Sequence, residues 1–290
     1  MTTNGTQEDS SSITKEQWDQ LCQDVKGTLL EETGSEAWYL IIATVLIISP
    51  EPQTLADFWT YLTKHDPSFS TPETQSRLAT RLLDVLLKQL TLIGAPQTLG
   101  ALIPLAKRQM AEKGQTPQED ESRPELKPEN LTTQSLTELQ ARGISTITSI
   151  YGTLWRGIFN TFGDYRGEMG AHELSIVYGL YLSDFRHLTA LETELVVYTS
   201  IQCQGHRGPS LWHVRGLGRV LGARGSNDAD PTVRRVKDVL RAVKVAVMQV
   251  VEFVGPEMVQ RSRLDGGKDG LQGWPNVGDV VRELGGWGED

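Results

Sequence analysis

The sequence predicts an all-α protein built from two tandem helical units. Apolar residues recur at spacings of three and four over several long segments, which is the period of an amphipathic helix. Several of these segments follow a threonine or aspartate, in two cases with proline next, as is typical of helix N-termini. Two distant stretches also share one order of helical features, which indicates an internal repeat.

Composition limits the class of partner. The chain has 290 residues with 28 basic and 37 acidic side chains, a net charge of -9. Nucleic acids and anionic membranes attract basic surfaces, so neither is expected as a partner. The two cysteines, Cys22 and Cys203, are too few for a disulfide scaffold and favour a reducing, intracellular and cytoplasmic location. Residues 1–16 are polar, resemble no targeting signal and are expected to form a disordered tail.

The most apolar run, Ala37–Ile48, is too short to span a membrane. Periodicity alone leaves it as either a buried strand or a buried helix. The repeat favours a helix, because Leu40–Leu46 and Leu195–Ile201 agree in character at an offset of 155 residues. Thr71-Pro72 and Asp230-Pro231 then each open an amphipathic pattern, as a capping residue followed by a first-turn proline does.

The repeat divides the chain into five parts. They are a tail at 1–16, a first unit at 17–110, a linker at 111–133, a second unit at 134–256 and a glycine-rich extension at 257–290. The linker is acidic, contains prolines and is expected to be flexible. Within the extension, the sequence predicts a short helix at Val277–Leu284, with Trp274 and Trp287 as anchors.

The stretch Leu188–Arg215 is the most informative for function. Thr189 and Glu192 have the spacing of a capping box, which predicts a helix start. Gly205–Pro209 predicts a corner, because glycine and proline interrupt helices, and a second helix is expected after it. On that helix His213 faces the core. A carboxylate on one buried helix and an imidazole on the next can transfer protons.

Four residues at this corner carry a resemblance to a known family. Glu194, His206, Pro209 and His213 are spaced like the signature of the carboxymuconolactone decarboxylase and alkylhydroperoxidase D family. The peroxidase branch has a glutamate, a Cys-x-x-Cys pair and a histidine at this spacing. The resemblance places Glu194 and His213 at the glutamate and the histidine, whereas His206 and Pro209 fall where the cysteines belong. It implies the family's scaffold without its thiol chemistry, and the decarboxylase branch is the closer analogue.

The resemblance implies acid–base chemistry on a small organic acid or lactone. His213 would be the base or acid and Glu194 its partner, with His206, Arg207 and Arg215 as substrate-binding residues. It also implies oligomers formed through long helices, part of which this chain supplies internally as a pseudo-dimer. No cofactor is implied. No metal is expected, because the glycines and proline of the corner interrupt the helix that would align the two histidines.

Other interpretations stay open at this point. A peroxide-reducing oxidoreductase is disfavoured by the missing cysteine pair, and a catalytically silent ligand-binding or interaction protein remains an alternative. His213 would then be a core histidine, and Glu194 an acidic residue favoured by the helix dipole. In the first unit Tyr39 and Phe58 stand at the equivalent positions. Neither ring supplies a carboxylate or an imidazole, so the first unit is expected to be a structural partner.

Overall fold

The computed structural model describes residues 13–113, 133–255 and 274–289. Over these ranges the regular structure is helical and no strand is present, as the all-α prediction requires. The α-helices in the described ranges are α1 Lys15–Thr28, α2 Ala37–Ile48, α3 Thr54–His65, α4 Pro72–Ile93, α5 Ala95–Lys113, α6 Thr133–Tyr151, α7 Leu154–Asn160, α8 Arg166–His172, α9 Ala190–Cys203, α10 Arg207–Val220, α11 Pro231–Val254 and α12 Val277–Leu284. We call α1–α5 the first region and α6–α11 the second region.

Several helices begin where the sequence supplies a cap. Thr14 and Gln17 form a capping box, so α1 begins at Lys15. This corrects the predicted end of the tail at residue 16, because the cap falls inside it; residues 1–12 lie outside the described ranges. α4 and α11 begin at prolines capped by Thr71 and Asp230, as predicted.

Helix α2 lies at the centre of the core. It spans Ala37–Ile48, which confirms the helix assigned to the most apolar run, and every residue from Ala37 to Ile47 is buried. A helix can be apolar on all sides only where other elements surround it. α2 meets this condition because α3, α4, α5, α9 and α11 all pack against it.

The two regions pack reciprocally around α2 and α9. These two helices contact each other directly, α4 of the first region packs on α9, and α11 of the second region packs on α2. α1 also lies along α11. Each region therefore contributes a long helix to the surroundings of the other region's central helix.

Buried charges of α4 fix how the regions meet. Arg81 donates to the carboxylate of Glu192 at 2.6 Å. Lys88 is fully buried and donates to Asp84 at 2.9 Å and to the backbone oxygen of Asp184 at 3.0 Å. Removing one partner of a buried pair leaves a charge without compensation, at a cost of about 3–5 kcal/mol. These contacts therefore specify the relative position of α4 and the second region.

A π-helical segment, Glu173–Leu182, follows α8 and packs along α6. The backbones touch because both elements place a glycine at the contact. A Cβ at Gly143 would lie 1.8 Å, and one at Gly179 2.3 Å, from a carbonyl oxygen of the facing segment. π-Helical turns are rare and are frequent at functional sites. This one carries Glu173 and Tyr178.

The extension packs back on the second region. The predicted helix at Val277–Leu284 is confirmed as α12, which contacts α10, and Trp274 and Trp287 are buried as predicted. Most of the predicted linker lies outside the described ranges, although its first three residues end α5 and its last residue, Thr133, begins α6. Within the described residues, no helix combines the length and apolar character needed to cross a membrane.

Candidate active site

Glu194 lies on α9 beyond the first turn. The capping box of Thr189 and Glu192 starts this helix, as predicted, so Glu192 is the residue with the capping role. Glu194 is only 1% exposed. Within the described part of the chain its Oε2 atom has no hydrogen-bond partner, although burying a polar atom without one costs free energy. A role in helix initiation does not account for this burial.

His213 lies on α10 and faces Glu194. The helix starts at Arg207, so Pro209 belongs to its first turn rather than to the corner, where the sequence predicted it. Proline is tolerated there because the first-turn N–H groups have no partner within the helix. His213 is 3% exposed, and its Nδ1 lies 2.8 Å from Oε1 of Glu194. The carboxylate and the imidazole are thus within hydrogen-bond distance, as the spacing predicts.

Two tyrosines extend this pair. Nε2 of His213 lies 2.7 Å from the hydroxyl of Tyr151 at the end of α6. The hydroxyl of Tyr178, on the π-helical segment, donates to that of Tyr151 at 3.0 Å. We call this continuous chain of hydrogen bonds, formed by Glu194, His213, Tyr151 and Tyr178, the relay.

The partners assign the hydrogens of the relay. Because a carboxylate only accepts, Nδ1 of His213 carries a hydrogen, and Nε2 accepts from Tyr151. Burial raises the pKa of the Tyr151 and Tyr178 hydroxyls well above the ordinary value, so both are neutral at neutral pH. Every hydrogen of the relay therefore points toward Glu194. The oxygen of Tyr178 is left as an acceptor at the other end.

Gly216 makes room for the contact between α9 and α10. A Cβ at this position would lie 2.7 Å from Oε1 of Glu194 and 2.5 Å from the side chain of Ile150. Both distances are shorter than van der Waals contact. The glycine therefore allows the carboxylate to occupy the place from which it reaches His213.

The relay ends at a cavity of about 170 Å³, which both of its tyrosines line. The wall is otherwise aromatic or aliphatic, apart from Thr161 and Glu173. Its rings belong to Tyr151, Trp155, Phe159, Phe162, Tyr178 and Trp212. Burial raises the pKa of the Glu173 carboxyl. The cavity thus combines an apolar wall with one acidic group and the end of the relay.

The three residues predicted to bind substrate do not line this cavity. Arg207 donates to both carboxylate oxygens of Glu283 on α12, at 2.7 and 2.6 Å. Arg215 donates to the backbone oxygens of Gly286 and Tyr151 at 2.8 and 2.6 Å. His206 is the half-buried residue that precedes α10, and its side chain makes no capping bond. The arginines hold the extension in place instead of facing the cavity.

Both cysteines are buried and unpaired. Burial raises the pKa of the Cys22 thiol to about 12 and also raises that of the Cys203 thiol. A thiol in this state is a poor nucleophile, because the thiolate is the reactive form. Neither sulfur belongs to the relay or lines the cavity.

A larger groove of about 710 Å³ lies at the start of α4. Its arginines, Arg77, Arg81 and Arg186, are each paired with a carboxylate. It has no counterpart of the relay. Among the side chains that the structure describes, no group of three or more histidine, cysteine, aspartate or glutamate residues could hold a metal ion.

The sequence pattern does not assign Tyr151 or Tyr178 to the site. Tyr151 is 62 residues from His213 in the chain, so no local spacing connects them. The one signal is that each tyrosine directly precedes a glycine, Gly152 or Gly179, and Gly179 marks the close crossing of α6 and the π-helical segment.

Comparisons with known proteins give no match: no family model, no curated protein and no solved structure matches this chain. The features that bear on function are therefore those of the site itself. These are the relay, the wall of the cavity and the carboxyl group of Glu173.

Proposed function

We propose that the protein is an acid–base catalyst that acts on a small cyclic organic molecule in the aromatic cavity. The observation that carries the proposal is the relay, which joins a buried carboxylate to the cavity wall by hydrogen bonds of 2.8, 2.7 and 3.0 Å. A histidine buried for structural reasons needs partners for its two nitrogens only. It does not need a second tyrosine that extends the chain to a cavity.

The proton moves along bonds that are already formed. The oxygen of Tyr178 accepts a proton from the bound molecule and passes its own to Tyr151. Tyr151 in turn passes its hydrogen to Nε2 of His213. The imidazolium that results donates from both nitrogens and lies against the carboxylate of Glu194, which stabilises the positive charge. Neither tyrosine has to become a free phenolate.

The same path returns the proton to the product. His213 gives its Nε2 hydrogen back to Tyr151, Tyr151 passes a hydrogen to Tyr178, and Tyr178 donates one into the cavity, so one relay serves as base and as acid. Such general acid–base catalysis contributes about 10²–10⁴-fold in rate. Six aromatic rings line the cavity, and electrostatic interactions are stronger in such a site of low polarity than in bulk water.

We also propose that the chain is a tandem member of the carboxymuconolactone decarboxylase and alkylhydroperoxidase D type. Each region has a buried helix, a second helix after a short corner and a long helix that begins at a capped proline. The reciprocal packing of α4 on α9 and α11 on α2 supports this proposal, because exchange of equivalent elements is the pattern of a two-fold interface. The chain would then form its pseudo-dimer internally, and a homo-oligomer would need fewer chains.

A second candidate is a binding protein without turnover, favoured by the aromatic cavity itself, which can hold an apolar molecule whether or not the relay works. Peroxide reduction has less support, because Cys203 is buried and its thiol pKa is raised. The two candidates differ in one respect that an experiment can measure. Only a catalyst exchanges a carbon-bound hydrogen of its ligand with solvent.

Exchange with solvent deuterium tests the proposal without a known substrate. The protein is incubated in D₂O with single-ring lactones, phenols and amines, and deuterium uptake at carbon is followed by mass spectrometry. We expect catalysis with at least one compound, and His213→Gln and Tyr151→Phe should each lower that rate by about 10²–10⁴-fold. His65→Gln, at an exposed histidine of the first region, is the matched control and should leave the rate unchanged.

Two outcomes contradict the proposal. A full rate in folded His213→Gln protein would show that the relay does not carry the proton. Binding without any exchange, across the whole set of compounds, would replace the catalyst with the silent binding protein. Circular dichroism of each variant separates these outcomes from loss of the fold.

A further inference from the structure

The ionisable side chain that could carry charge on the cavity wall is acidic, and it belongs to Glu173. Among the residues that the structure describes, the wall has no lysine, arginine or histidine, and its one carboxyl group belongs to Glu173. Desolvation by burial is what raises the pKa of this carboxyl group, and no neighbouring cation offsets it. A substrate carboxylate would therefore enter a site without a partner for its charge.

The polar atoms on the wall are mainly acceptors. Tyr178 and Tyr151 use their hydrogens within the relay. Thr161 donates its hydroxyl hydrogen to the backbone oxygen of Ile158 at 2.6 Å, and the indole N–H of Trp155 donates to Thr148 at 3.2 Å. A ligand that supplies hydrogen-bond donors therefore complements this wall better than one that supplies acceptors.

The aromatic rings of the wall also attract cations. A ring face carries partial negative charge and binds an ammonium group within about 6 Å of its centroid, and cages of such rings recognise organic cations. Trp155 already holds one cation in this way, since the guanidinium carbon of the exposed Arg156 lies 5.1 Å from its ring. Trp212, Phe159 and Phe162 offer further rings.

The volume limits the ligand to a single ring. The cavity measures about 170 Å³. An apolar cavity engineered in another protein, at about 150 Å³, binds benzene. One ring with a short substituent is therefore the size that fits.

We propose that the cavity binds a single-ring compound with an ammonium group, that Glu173 is the residue that pairs with the ammonium, and that the aromatic rings hold the remainder. This inference deepens the proposed function and rests on it for the direction of the hydrogen bonds in the relay. It replaces the organic acid that the family resemblance implies. Glu173 selects the ligand by charge, whereas the relay moves the proton.

Three probes of one ring and different charge test the inference. Benzylamine is a cation at neutral pH, benzyl alcohol is neutral and benzoate is an anion. Binding to the full-length protein is measured by calorimetry and by tryptophan fluorescence, to which Trp155 and Trp212 contribute. The difference between the parent and a Trp212→Phe variant gives the fluorescence change of Trp212. We expect benzylamine to bind at least tenfold more tightly than benzyl alcohol, with benzoate the weakest of the three.

Glu173→Gln removes the charge and keeps the shape. It should weaken benzylamine binding by about tenfold or more, while binding of benzyl alcohol stays within about twofold. Glu168→Gln is the matched control, since Glu168 is an exposed carboxylate on the preceding helix and does not line the cavity. It should change neither affinity.

The result that overturns the inference is equal affinity for benzylamine and benzyl alcohol, or tighter binding of benzoate. Unchanged benzylamine binding in folded Glu173→Gln protein would also overturn it. The relay is judged separately, because Tyr151→Phe should lower the rate of deuterium exchange by about 10²–10⁴-fold while benzylamine binding stays within a few-fold of the parent. If Tyr151→Phe protein loses deuterium exchange but still prefers benzylamine, the two proposals are separate properties of the site. If Tyr151→Phe protein keeps full exchange, the relay is wrong, and the preference for benzylamine is still decided by the affinities.

Discussion

The predicted repeat pairs the corner between α2 and α3 with the corner between α9 and α10, yet the two corners bury different side chains. α2 buries ten apolar residues and Thr44, whose hydroxyl donates to its own helix at 2.7 Å. α9 buries Glu194 and several uncharged polar residues, and four of its buried polar atoms have no hydrogen-bond partner among the residues that the structure describes. Each such atom costs about 1–3 kcal/mol.

Single positions show the same contrast. In the predicted repeat, with its offset of 155 residues, Tyr39 corresponds to Glu194 and Phe58 corresponds to His213. Phe58 packs between Trp18 and Tyr61, with ring centroids 5.1 and 6.4 Å away. The first corner is therefore a stabilising core, whereas the second accepts an energetic cost in order to hold a buried carboxylate against an imidazole. A cost of this kind is expected where residues are kept for chemistry.

The largest difference should come from removing the equivalent residues of the two corners. Phe58→Ala should lower the free energy of unfolding by about 3–5 kcal/mol, as truncation of a buried ring does. It should leave the exchange rate per folded molecule unchanged. His213→Gln should show the reverse pattern, with a rate lower by about 10²–10⁴-fold and a smaller loss of stability. Denaturant titration measures the free energy of unfolding, and the D₂O assay measures the exchange rate. Similar rate losses for the two variants would contradict the predicted difference between the two corners.

The next effect concerns the space beside Glu194. At the predicted offset of 155 residues Tyr61 corresponds to Gly216, so the predicted repeat has a glycine at this position only in its second unit. Gly216→Ala places a Cβ 2.7 Å from the carboxylate and should displace it, with a rate loss of about tenfold or more. Gly208→Ala on the same helix meets nothing within 4 Å and should be neutral or stabilising by about 0.5–1 kcal/mol. Equal rates in the two variants would contradict the role of Gly216.

The thiols should make no difference in either region. Cys22 lies in the first region and Cys203 in the second, and both are buried with raised thiol pKa values. The double variant Cys22→Ser/Cys203→Ser should keep the exchange rate per folded molecule within about threefold, because neither thiol forms much thiolate. Peroxide turnover by the parent that is lost in this variant would restore the redox interpretation.

The smallest effect is expected at the contact between α12 and the second corner. The guanidinium of Arg207 beside Glu283 lowers the pKa of that carboxyl from 4.5 to about 2. Stabilisation from this pair is therefore complete above pH 4.5 and is lost as the pH falls toward 2. The pair is partly solvated, so its contribution is about 0.2–1 kcal/mol. Parent and Glu283→Gln should differ in unfolding free energy at pH 7 and converge near pH 2, and a constant difference would contradict the pairing.

The sequence predicts those features that depend on neighbours along the chain. Capping residues and first-turn prolines place the starts of α4, α9 and α11, and the internal repeat identifies α2 as a helix. Glu194 and His213 are only 19 residues apart, on two helices joined at one corner, so their spacing is enough to predict the contact.

Features that depend on distant segments are not predicted. Tyr151 reaches His213 because α6 and the π-helical segment cross at a pair of glycines, and no local pattern encodes that crossing. Arg207 and Arg215 look available for a substrate in the sequence. They are occupied because the extension returns and packs α12 on α10.

Nitrogen NMR of the His213 ring tests the relay most directly. The chain has five histidines, and a spectrum of His213→Gln protein assigns the signals of this one. The relay predicts hydrogen on Nδ1 and none on Nε2, with a shift of the Nε2 resonance in Tyr151→Phe protein, where the donor to that nitrogen is lost. Hydrogen on Nε2 and none on Nδ1, or an Nε2 resonance that Tyr151→Phe leaves unchanged, would contradict the relay.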